Sequence, residues 1–116
     1  MDVRTVVLVG VGGFAGAGSR HAVAISLPAA FPWGTLAVNV VGAFLLGLFV
    51  AESGGRSRAA RLAVSAGFLS SFTTYSTFAA ETAALPPVLA AVNVAATYLL
   101  GFAAVVAAMG VSSWRS

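Results

Sequence analysis

Four long apolar runs dominate the chain, at about residues 4–27, 34–50, 59–84 and 88–111. A helix needs about 17–25 such residues to cross the hydrocarbon core of a bilayer, so each run is long enough to span. Between them stand short breaks: Pro28 and Pro32, the polar stretch Glu52 to Arg61, and Pro86–Pro87. The pattern predicts an all-α membrane protein with four transmembrane helices, forming one domain over residues 1–116. Composition agrees. Charged residues make up 8% and hydrophobic ones 59%, against about 25% charged in a soluble domain. The chain has no cysteine, hence no disulfide framework and no thiolate metal site. One histidine, His21, and three acids offer no metal-ligand cluster. A net charge of +3 without a basic run interleaved with aromatics argues against a nucleic-acid surface.

The third run holds the densest polar chemistry. Ser70, Ser71, Thr73, Thr74, Ser76 and Thr77 place six hydroxyls in eight residues, interleaved with Phe68, Phe72, Tyr75 and Phe78. A buried hydroxyl without a partner costs about 1–3 kcal/mol. Ser and Thr can bond back to a carbonyl one turn earlier and bend the helix, but six of them exceed what a bend needs. Irregular backbone at membrane depth survives only inside protein or beside a wet cavity. Residues 70–77 therefore read as a broken or pore-facing segment, with a Ser/Thr packing face between helices as the plain alternative.

The other runs carry fewer signals. In the first, Gly12 and Gly16 form a GxxxG pair that lets another backbone approach. Arg20 lies sixteen residues beyond Arg4, about 24 Å along a helix. It either snorkels to the far interface or faces a cavity. A cleaved signal peptide is a weaker reading of this run, since its basic start is one Arg and its glycines make a poor cleavage site. Trp33 suits an interface. Asn39 can bond a neighbouring helix or a solute. Gly42 and Gly47 again permit close packing. Glu81 follows Phe78 by three residues, so an intact helix would put both on one face. The fourth run carries Asn93, Thr97 and Tyr98, then Gly101 and Gly110. Four close-packed helices leave no pore, so transport through such a chain implies an oligomer.

Three stretches in order, Gly12 to Arg20 (Gly-Gly-Phe-Ala-Gly-Ala-Gly-Ser-Arg), Gly34 to Gly42 and Gly67 to Phe78, resemble the CrcB/Fluc fluoride channels. The resemblance implies a small four-helix protein with helix three broken, acting as an antiparallel, inverted dimer. It implies two fluoride pathways and a structural sodium ion at the dimer centre. It implies passive export of cytoplasmic fluoride, with no catalysis. By the same resemblance Asn39 lines the pathway, and Tyr75 and Phe78 occupy the two positions of an aromatic box. Ser76 and Thr77 are hydroxyls beside the box, Thr97 is the helix-four hydroxyl, Glu81 the acid that follows the box and Arg20 a vestibule arginine. The backbone carbonyls of Ser70 and Thr73 hold the sodium. Three departures stand out: Tyr75 for Phe, Ser70–Ser71 for Gly-Gly, and His21 for Tyr.

The residue chemistry is compatible. Fluoride holds its water strongly, and Ser, Thr and Asn donors can replace that shell. Aromatic ring edges are weakly positive, and several weak sites conduct better than one tight site. Four spans put both termini and the 52–61 loop on one side, with Arg4, Arg56, Arg58, Arg61 and Arg115, against Arg20 alone elsewhere. The positive-inside rule then predicts a multi-pass protein of the cell membrane with cytoplasmic termini. The expected partners are fluoride, sodium, the lipid bilayer and an inverted second subunit, either another copy or a separately encoded paralogue. Two rival functions remain: a proton-coupled multidrug exporter, which would need a deep carboxylate where only Glu81 is available, and a non-transporting membrane scaffold.

Overall fold

The computed structural model describes residues 2–28, 31–52 and 54–115, the side chain of Arg115 excepted. Three long helices cover the first, second and fourth apolar runs: α1 Val3–Ser26, α2 Trp33–Glu52 and α6 Pro87–Arg115. Each is long and apolar enough to cross a membrane. The third run is segmented. It begins with α3 Arg58–Leu62, continues as a π-helical stretch Ala63–Leu69, and returns to α-helix in α4 Ser70–Phe72. Thr73 and Thr74 are extended, and α5 Tyr75–Ala84 follows.

Local chemistry explains the ends. The Asp2 carboxylate accepts from the Thr5 N–H at 2.8 Å and caps α1. The hydroxyl and then the backbone N–H of Thr5 hold that carboxyl below its ordinary range. Leu27 and Leu85 are extended because each precedes a proline, whose ring disfavours helical geometry in the residue before it. Pro87 then opens α6, where a missing N–H has no consequence. Ser57 caps α3 by accepting from the Ala60 N–H. The π stretch was not foreseen from sequence. Its wider turn is recorded by the Ser70 N–H, which donates to the Ser65 carbonyl five residues back.

Two packing seams hold the bundle. Along one, α1 lies against the π stretch almost backbone to backbone. A Cβ built on Gly12 would strike the Ala63 carbonyl, and one on Gly16 the Phe68 carbonyl. Gly67 returns the contact, facing the Val9 carbonyl. Along the other, α2 lies against α6, where a Cβ on Gly47 would sit 3.2 Å from the Ala108 methyl. Among the described residues the buried apolar side chains are few: Leu36, Val38, Leu69, Phe72, Phe78 and Ala108. Phe14, Leu99 and Phe102 are exposed. Apolar residues on the outside are what a chain immersed in lipid requires, since lipid tails are as apolar as leucine.

Candidate functional site

The interruption at Thr73–Thr74 is built by side chains that capture backbone groups. Asn39, on α2, takes Thr74 from both sides: its Oδ1 accepts from the Thr74 N–H at 2.8 Å, and its Nδ2 donates to the Thr74 carbonyl at 3.0 Å. One turn on, the Thr74 hydroxyl oxygen accepts from the Thr77 N–H at 3.2 Å and caps α5. These two N–H groups would otherwise serve the carbonyls of Ser70 and Thr73, four residues earlier in each case. Both carbonyls therefore lack their usual helical donor. The side chains of the same residues point elsewhere. Thr73 Oγ1 donates to the Leu69 carbonyl at 3.0 Å, and the Ser70 hydroxyl donates to the Ala66 carbonyl. Gly42 is needed opposite, because a Cβ there would collide with the Thr73 methyl.

An open groove of about 440 Å³ runs beside the interruption. Asn39, Ser70, Thr73, Tyr75, Phe78 and Thr97 line it, together with Tyr98 and Gly101. Helices α2, α4, α5 and α6 and the interruption thus bring most of the expected residues to one surface. Phe78 is buried, with Tyr75 tilted against it at 6.0 Å between ring centroids and Tyr98 edge-on at 6.2 Å and 82°. Thr97 Oγ1 is buried without a hydrogen-bond partner among the described residues.

Four expected residues stand off the groove. Ser76 is exposed and Thr77 half-buried, and neither lines it. Arg20 bonds two residues ahead of the interruption, its Nε donating to the Ser71 carbonyl of α4 at 3.0 Å. That bond to protein differs from simple snorkelling. Glu81 accepts from the Thr35 hydroxyl of α2. Thr35 was not foreseen as a partner, although it precedes Asn39 by one turn. Tyr98 also lines the groove without being expected there, and Thr82 and Asn93, off the groove, bond to each other. For Asn93 the signal was present: a lone amide in an apolar run, one turn before Thr97. No group of three or more His, Cys, Asp or Glu suited to a metal occurs among the described residues.

Residues 7–110 match the family described as CrcB-like protein, Camphor Resistance (CrcB). A protein of Natronomonas pharaonis named Fluoride-specific ion channel FluC 1 is 59% identical, with both chains covered in full. A protein of the same name from Haloarcula marismortui is 51% identical over 90% of this chain and 83% of its own. Fluoride-specific ion channel FluC 2 of Halobacterium salinarum is 44% identical over 97% of this chain and 90% of its own. With matches that run nearly end to end, this membrane protein belongs to the CrcB family.

Proposed function

We propose that the chain is a fluoride-selective channel that lets cytoplasmic fluoride leave the cell by passive diffusion. The observation that carries the reading is the shared lining of one groove by Asn39, Tyr75, Phe78 and Thr97. The names of the similar proteins supply the ion. Along this surface a desolvated anion meets an amide, a hydroxyl and aromatic ring edges, which suit an anion without binding it tightly. Ser76, Thr77, Glu81 and Arg20 stand off this lining, and their proposed place is along the approaches to it rather than on it. The groove is open in one chain, so an inverted second subunit is proposed to close it, in the cell membrane and with the termini of this chain in the cytoplasm.

A structural sodium ion fits the donor set. The Ser70 and Thr73 carbonyls are hard oxygen donors without their helical N–H partners, and unwound carbonyls of this kind suit sodium. These two residues, repeated in the inverted subunit, would hold it. A cation there supplies a fixed positive charge that offsets the repulsion an anion meets in a low-dielectric interior. Purified protein in liposomes loaded with potassium fluoride tests the function. Fluoride-electrode traces should show rapid efflux once a potassium ionophore is added, with chloride retained. Vesicles that hold their fluoride as well as empty liposomes do would refute the reading.

A further inference from the structure

Helix α5 is ten residues long and buries one side chain, Phe78. Packing alone therefore does little to fix where it sits. Polar ties do more: Asn39 holds Thr74 at its start, and Thr35 donates to Glu81 on its α2 side. On the α6 side, Asn93 Nδ2 donates to Thr82 Oγ1 at 2.8 Å, and that hydroxyl donates to the Phe78 carbonyl at 2.7 Å. Asn93 is 1% exposed, and its Oδ1 has no hydrogen-bond partner among the described residues. A buried amide that satisfies only half of its capacity is a net liability compared with leucine. What it supplies is a directional contact between two helices, which fixes their register. Tyr98, on the same helix, stands edge-on to the Phe78 ring. Helix α6 thus grips Phe78 at its carbonyl, through Thr82, and at its ring.

We propose that Asn93 and Thr82 are positioning residues: the relay from Asn93 through Thr82 to the Phe78 carbonyl sets α5 on α6 and so sets the Phe78 ring over the groove. This rests on the channel reading for its functional meaning, but the positioning itself is measurable without transport. A single 4-fluorophenylalanine at position 78 reports the ring's surroundings through its fluorine resonance, and flux is measured on the same preparations. Thr82→Val keeps the shape, removes the hydroxyl and strands the Asn93 amide. Thr82→Ser restores the hydroxyl. Asn93→Leu with Thr82→Val removes both polar groups and with them the stranded amide.

Thr82→Ser should match the wild type in resonance and flux. Thr82→Val and the double variant should shift or split the resonance and reduce flux about tenfold, the factor one lost hydrogen bond carries. The double variant should regain the melting temperature that Thr82→Val loses, yet not the flux. A wild-type resonance in both Thr82→Val and the double variant would overturn the proposal. So would recovery of flux together with melting temperature in the double variant, because the pair would then be packing alone. A wild type that carries no fluoride, with the resonance still moving in Thr82→Val, would sink the channel reading and leave the positioning intact.

Discussion

Asn39 shows how one side chain can hold a stretch of backbone out of helical form. Its amide satisfies both polar groups of Thr74, so Thr74 itself is left with no orphaned peptide group, while the Thr73 carbonyl stays without its helical donor. Asn39→Asp keeps the acceptor but sets a carboxylate oxygen against the Thr74 carbonyl. It should lower stability by about 1–3 kcal/mol and stop fluoride flux; melting curves and efflux traces that both match the wild type would deny the clamp. Phe78→Ile retains bulk but loses both ring contacts, worth about 0.5–1.5 kcal/mol each. It should leave the protein assembled and block flux, and wild-type efflux would remove Phe78 from the pathway. Ser70→Ala spares the carbonyl and removes only a bond to Ala66; its efflux and sodium dependence should stay near wild type. Much of this site was legible from residue type, because amides, hydroxyls and rings are rare in apolar runs. The bonding was not. Which atom of Asn39 meets Thr74, or that Glu81 meets Thr35, depends on helix rotation, and no spacing rule carries that across 35 or 46 residues.

The elements repeat the lesson at a larger spacing. Runs one, two and four could be read from length and hydropathy, and prolines marked their ends. The π stretch could not, since α and π turns draw on the same residues and differ only in which carbonyl each N–H reaches. The glycines of α1 were legible as a close-packing seam but not as a seam with the third run. Gly16→Ala would press a methyl on the Phe68 carbonyl. It should destabilise by about 1–3 kcal/mol through overpacking, whereas Gly18→Ala, where a Cβ meets no described atom within 4 Å outside its own helix backbone and immediate chain neighbours, should be neutral or mildly stabilising. Equal melting temperatures for the two would contradict the seam. The start of α1 responds to pH. Because Thr5 depresses the Asp2 carboxyl in the folded chain, the cap is present above the unfolded carboxylate range and is lost as pH falls through the lowered value. Protection of the Thr5 amide, taken relative to its intrinsic exchange rate at each pH, should therefore fall on acidification below the ordinary carboxylate range, and an Asp2→Asn variant should blunt the response.

For the whole molecule, charge decides orientation. Gly55 and Pro28 lie on opposite sides if the chain spans four times, and the native chain has no cysteine to interfere. Four spans would put five of the six basic residues on the side of the termini and the 52–61 loop, and the chain should then insert mainly one way. A cysteine at Gly55 should then resist a membrane-impermeant reagent added to intact cells, while one at Pro28 reacts. This would favour pairing with a separately encoded subunit of opposite bias. Equal reaction at both positions would mean insertion in both orientations and pairing between copies of this chain. The glycine seam bears on how such a molecule is made. It joins parts as far apart in sequence as Arg20 and Ser71, which are separated by 51 positions. During synthesis the glycine face of α1 must therefore stay bare after the first hairpin has inserted, until residues 63–72 arrive. Translation that stops before Ala63 leaves a two-helix fragment with that face uncovered, a ready mark for the proteases that clear unfinished membrane proteins.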